Sequence, residues 1–200
     1  MKQRRAFFRT AGLTSASLLL GWPTKASARP SAGTATIGDV RKACRHFAML
    51  YFRFCKTLVD AVGEEAALPL VQKTVFELSL DRTDRMRAKA QEEGLDTTLE
   101  NFPKVNDLPR IAWDGWEPSQ GGVRCAYAEA WLGYFEEYPW FKRFASLYCD
   151  VIDTTNIENF SHTTSHRITA NLLWGDASCE REFFESEDVK QGRYTYGKRE

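Results

Sequence analysis

Between Ile37 and Val62 the apolar residues Val40, Cys44, Phe47, Tyr51, Phe54, Leu58 and Val62 recur at steps of three and four. That period puts them on one face and predicts a long amphipathic helix, ended by Gly63. Glu64 and Glu65 suit the first turn of a second helix, where carboxylates meet the positive end of the helix dipole. Pro69 is tolerated only near its first turns. Leu70, Val71, Val75 and Leu78 supply the apolar face of this helix. From Asp81 to Glu93 it becomes almost wholly charged, and Gly94 closes it. The charged run reads as a solvated helix end.

After Gly94 the pattern changes. Leu95 to Leu108 reads as loop with a short turn. Arg110 to Trp116 predicts a strand, and Pro118-Ser119-Gln120-Gly121-Gly122 is turn chemistry. Val123, Cys125, Tyr127, Glu129 and Trp131 alternate with Arg124, Ala126, Ala128 and Ala130, which predicts another strand. Tyr138 to Thr154 carries Phe141, Phe144, Ala145, Tyr148 and Ile152 at helical spacing, with Pro139 in the first turn. Arg167 to Trp174 alternates, Gly175-Asp176-Ala177-Ser178 turns, and Cys179 to Glu185 returns as a hairpin. Residues 187–200 read as a polar, loosely ordered tail. The sum is an α+β domain over 37–186: two long N-terminal helices packed on an antiparallel sheet with one inserted helix.

The N-terminus has a different organisation. Gln3-Arg4-Arg5-Ala6-Phe7-Phe8-Arg9 resembles the twin-arginine export pattern, and Ala26-Ser27-Ala28 is an A-x-A cleavage site. The apolar stretch between them, Ala11 to Trp22, is short of the ~20 residues that a membrane span needs, so no stable membrane anchor is expected. The expectation is a signal peptide over 1–28, a linker over 29–36, and a periplasmic protein that meets the twin-arginine translocon during export. That route carries proteins already folded.

Composition matters once the leader is set aside. Of the 27 bases, Lys2, Arg4, Arg5, Arg9 and Lys25 fall in the leader, which holds no acid; 22 bases then face 27 acids, a net charge of −5. That balance disfavours nucleic acid as a partner and leaves a small-molecule substrate. The oligomeric state is open. The five cysteines are Cys44, Cys55, Cys125, Cys149 and Cys179. Cys44 and Cys55 fall on one predicted helix, ~16 Å apart by helical rise, too far to bridge. No C-x-x-C occurs.

The densest run of chemistry-bearing side chains lies between Tyr148 and Cys179: Cys149, Asp150, Asp153, Asn156, Asn159, His162, His166, Asp176 and Cys179. Within it, Tyr148-Cys149-Asp150, Asn159-Phe160 and Arg167-Ile168-Thr169-Ala170-Asn171-Leu172-Leu173-Trp174-Gly175-Asp176, with Cys179 and Phe183, resemble the C-terminal signature of the L-2-amino-thiazoline-4-carboxylic acid hydrolase family. Trp131-Leu132-Gly133-Tyr134 fits the same pattern, and the resemblance spans roughly Ala35 to Glu185. It implies a hydrolase that opens a thiazoline ring, a cyclic amidine, to a carbamoyl-cysteine. The export signal departs from that cytoplasmic pathway.

Ring opening needs a nucleophile, water or thiolate, with a base to take its proton and an acid for the leaving atom. Candidate catalytic residues are Cys149, Asp150, Asp153, His162, His166 and Cys179. In one arrangement Cys149 attacks, a histidine shuttles the proton and an aspartate orients the imidazole. Asp176 is a candidate partner for the amidine and Arg167 for a carboxylate, with Asn159 as a further substrate contact. Each has a structural alternative: core thiol, turn carboxylate or solvated charge. His162 and His166 are four apart, a zinc-binding spacing on a helix. In an extended chain the same spacing is ~13 Å, too far for one ion. No cofactor is required, although a bound metal stays open. The alternative function is a non-catalytic periplasmic small-molecule or metal-binding protein, or an accessory subunit of an exported enzyme.

Overall fold

The computed structural model describes residues 36–108, 113–114 and 124–198. The expected leader, the expected linker up to residue 35, the expected Pro118–Gly122 turn, all of the Arg110–Trp116 segment except Trp113 and Asp114, and residues 199–200 of the expected tail lie outside the described residues.

Thr36 caps the first helix, α1 (Ile37–Val62). The Asp39 amide donates to Thr36 Oγ1 at 3.2 Å, and the Thr36 amide donates to Asp39 Oδ2 at 3.1 Å, a reciprocal capping box. Gly63, at φ 81°, turns the chain directly into α2 (Glu64–Glu92); a Cβ there would strain the backbone. The span of α1 matches its apolar period, but its buried face is rotated from the expected one. Cys44, Ala48, Phe52 and Cys55 are buried, whereas Phe54 is 62% and Val62 50% exposed. Phe52 wins the core position because its ring stacks on Tyr134, with centroids 3.9 Å apart.

The charged end of α2 is not wholly solvated. Arg82, Thr83, Met86 and Ala90 form a buried stripe within it. The short helix α3 (Phe102–Val105) follows, and Phe102 meets Phe160 edge to face at 5.3 Å. Strands β1 (Trp113–Asp114) and β2 (Arg124–Cys125) pair antiparallel. The strand expected to run on to Trp131 stops at Cys125, and α4 (Ala126–Leu132) takes its place. Three alanines favour the helix. Helical spacing also buries Ala128 and Trp131 together in the core, where the Trp131 indole N–H donates to the Ala48 carbonyl at 2.9 Å.

The aromatic helix, α5 (Phe141–Ser161), begins after Pro139 and runs beyond Thr154. It is the central element, packed against α2 on one side and β3 (Thr164–Ala170) on another. Between α2 and α5 the contact is apolar at Val71, Val75, Met86 and Ala90 and polar in between, where Ser79 Oγ donates to Asn156 Oδ1 at 2.8 Å and Thr83 Oγ1 lies 3.2 Å from the same atom. Strand β3 pairs antiparallel with β4 (Glu180–Glu185), with His166 opposite Phe183 and Ile168 opposite Arg181. Leu172–Trp174 form a 3-10 turn where a strand was expected to continue. Asn171 ends the strand, because its side chain caps that turn by accepting from the Leu173 amide at 3.0 Å. The fold is α+β, with two long N-terminal helices.

The last segment is ordered, not a loose tail. Helix α6 (Glu187–Lys190) is capped by Ser186, and the chain then returns to α5. The buried Glu158 carboxylate accepts from the Ser165 hydroxyl (2.7 Å), the Thr195 amide (2.8 Å) and the Thr195 hydroxyl (2.7 Å). A buried carboxylate persists only when its oxygens are satisfied in this way.

Candidate functional site

One cavity of about 180 Å³ opens between α5 and the β3–β4 hairpin. From α5, Tyr148, Cys149, Ile152, Asp153, Asn156 and Ile157 line it. Their steps of one, three and four residues form a single stripe along the helix. Opposite stand His166 of β3 and Cys179, Arg181 and Phe183 at alternate positions on the returning strand. Alternation explains this wall, since residues two apart in a strand share a face. Arg82 of α2, Cys125, Tyr127 and, from the segment after α2, Phe102, Pro103, Asn106 and Leu108 complete the lining.

The cavity is largely apolar, and its charges are paired. Arg181 donates from Nε (3.0 Å) and Nη2 (2.7 Å) to Asp153 Oδ2. Burial pulls its guanidinium down, but Asp153 more than offsets that and leaves it above the ordinary value. Arg82 grips Asp107 through Nε at 3.0 and 3.1 Å and Nη2 at 2.6 Å. This second clamp holds the segment around Asp107 against α2.

His166 is 7% exposed. Thr154 Oγ1 lies 3.5 Å from its Nε2, while Nδ1 is buried without a partner. Burial pushes the imidazole below its ordinary value, against the pull of Asp153, so it stays neutral at pH 7. Burial drives the Cys149 thiol well above its ordinary value, and the nearby Cys125 and Asp153 add to the rise. Cys149 is therefore a protonated thiol at rest, not a thiolate. No disulfide joins any of the five cysteines.

Of the candidate residues, Cys149, Asp153, His166 and Cys179 share the cavity. The other five lie outside it, with structural partners. Asp150 accepts from the Tyr196 hydroxyl. Asn159 donates to the Thr155 and Gly197 carbonyls, both at 3.1 Å. Arg167 pairs with Glu182 on the solvent face of the hairpin at 2.6 Å. Asp176 accepts the Asn171 amide at 2.7 Å and so closes its own turn. His162 ends α5 in the left-handed conformation, φ 56°. Its Nε2 accepts from Arg87, and its Nδ1 lies 2.6 Å from the Tyr194 hydroxyl. His162 and His166 thus belong to different surroundings. Among the described residues no group of three or more His, Cys, Asp and Glu is placed to hold a metal.

Arg181, Arg82 and Cys125 also line the cavity and are not among the sequence candidates, while Asn156 belongs to the dense run without an assigned role. Arg181 had a visible signal: it falls between Cys179 and Phe183 on one face of a strand. Arg82 had none, because a lone arginine in a charged run looks solvated. No protein-family model matches the chain, and neither does a curated protein or a solved structure. The thiazoline-hydrolase resemblance therefore rests on the quoted residues alone. Among the described residues no helix is long and apolar enough to cross a membrane.

Proposed function

We propose that this chain is an exported hydrolase that opens a C–S or C–N bond in a small cyclic amidine of the 2-amino-thiazoline type. One observation carries the reading: His166, with Nδ1 unpartnered and its imidazole neutral, lines the same cavity as Cys149, Cys179 and the Asp153–Arg181 pair. A neutral, buried imidazole with a spare nitrogen is a general base in waiting.

In the tautomer whose Nε2–H donates to Thr154 Oγ1, Nδ1 is free to accept a proton. It takes one from water as the oxygen bonds to the amidine carbon, and returns it to the ring nitrogen. The adduct then expels sulfur, and the new hydroxyl proton passes through the imidazole to the thiolate. A carbamoyl thiol results. Expulsion of nitrogen instead gives C–N cleavage. The raised pKa of Cys149 favours water over this thiol as nucleophile. Asp153, fixed by Arg181, faces the imidazolium as it forms.

The test incubates the purified protein with 2-amino-thiazoline-4-carboxylate and, separately, with the ring lacking the carboxylate. Free thiol and carbamoyl product are followed over time. Hydrolysis of either ring by the native protein, absent in His166→Gln, is the expected result. No turnover of either defeats the reading. The second reading is a binding protein without turnover, favoured by the apolar walls and the protonated thiol; ligand binding with no product would establish it.

A further inference from the structure

We infer that the cavity selects a single-ring ligand in its uncharged form, carrying an N–H group, and discriminates against a ring that bears a carboxylate. This rests on the cavity proposed above as the reaction site and narrows its substrate class.

Three observations converge. The first is size. A cavity of about 150 Å³ accommodates benzene, so about 180 Å³ suits one five- or six-membered ring with a small substituent. The second is charge. Both arginines lining the cavity are already committed, Arg82 to Asp107 at 2.6 Å and Arg181 to Asp153 at 2.7 Å. His166 is neutral and Cys149 is protonated. With Asp107, which holds Arg82 from outside the lining, counted in, the fixed charges around the cavity cancel. A carboxylate would enter a largely apolar space whose arginines are already paired, and lose its hydration uncompensated. Arg167, the expected carboxylate partner, stands on the solvent face beside Glu182. The third is a buried, unpartnered polar atom on a lining residue, His166 Nδ1. A buried acceptor left unpaired rewards a ligand that donates to it. The aromatic walls, Tyr148, Tyr127 and Phe183, suit the faces of a flat ring.

The experiment uses the full native protein and two inert probes that differ only in the carboxylate: 2-aminothiazole and 2-aminothiazole-4-carboxylate. Binding is measured by calorimetry, and the imidazole nitrogens are followed by NMR. The chain has only three histidines, so His46, His162 and His166 separate readily. The expected result is that the uncharged ring binds at least tenfold more tightly, about 1.4 kcal/mol. It should shift the His166 nitrogens and leave those of His46 and His162 in place. A third probe, thiophene, lacks the donor and should bind more weakly than 2-aminothiazole. Equal or tighter binding of the carboxylate, or shifts confined to His46 or His162, overturns the inference. Turnover keeps the two proposals apart. Hydrolysis of the thiazoline acid with tighter binding of the carboxylate probe removes this inference and keeps the hydrolase. Tighter binding of the uncharged ring without hydrolysis of any thiazoline does the reverse.

Discussion

His166 holds an unpartnered Nδ1 where water is scarce, and a pH profile reads that state directly. Burial lowers its pKa from the ordinary 6.5, so the base form dominates at neutral pH. Turnover should be flat above pH 6.5 and fall as pH drops through the depressed value. Stability follows the same sign. The unfolded chain binds a proton near 6.5 and the folded one only lower, so stability is present above about 6.5 and is lost as pH falls through the folded value. Thermal melts at stepped pH check it, and His166→Gln should remove that part of the slope. The same substitution should cost roughly 10²–10⁴-fold in turnover while circular dichroism stays unchanged. Cys149 should alkylate far more slowly with iodoacetamide at pH 7.5 than an unfolded control, by mass spectrometry, because its thiolate is scarce. Rapid labelling would show an activated nucleophile instead. Much of this is legible in the sequence. Cys149, Asp153, His166 and Cys179 stand out because chemistry-bearing side chains are dense in one short stretch. Asp176 and Asn159 belong to the same stretch, yet their partners are a turn amide and the Gly197 carbonyl. Local density cannot separate the two outcomes, because the deciding contacts are tertiary.

At the scale of elements, α5 is the organiser, and its buried Glu158 ties β3 and the final segment to one carboxylate. Glu158→Gln places an amide N–H₂ among three donors. It should destabilise the fold by about 1–3 kcal/mol, measured by urea unfolding, and loosen residues 194–198 by hydrogen exchange. Protection unchanged at Thr195 would contradict this account. Helical periodicity located α1, and Gly63, the Glu64–Glu65 pair and Gly94 set where α1 ends and α2 begins and closes. It misplaced the buried face of α1, because Phe52 and Phe54 are equally apolar and only the Tyr134 ring chooses between them. The α4 segment failed for another reason. Alternating alanine and larger residues satisfies a period of two, while alanine itself favours helix. The tail was misread because its polarity is spent on buried partners.

For the whole molecule, the proposed export and the unbridged cysteines together have a direct test. Cys44, Cys55, Cys149 and Cys179 are buried and Cys125 is half-buried, so a chain folded before export shields its thiols from an oxidising compartment. Protein recovered from the periplasm and denatured without reductant should titrate all five thiols. Arg4→Lys with Arg5→Lys should abolish its appearance there, scored by fractionation and immunoblot; continued export would rule out the twin-arginine route. The α+β class is visible from pattern alone. The cavity is not, because its walls come from Arg82, the Cys125 turn, α5 and the hairpin, segments that no local window joins.

His162 is the only non-glycine residue among those described with a positive φ. Its ring is clasped by Arg87 of α2 and Tyr194 near the chain's far end. The chain leaves α5 through this single joint, and β3 begins two residues later. The joint therefore aims His166. Random mutagenesis scored by the proposed hydrolysis should return hits at Arg87 and Tyr194, positions that do not line the cavity, and a designer testing that proposal could steer from there without altering the cavity's own lining.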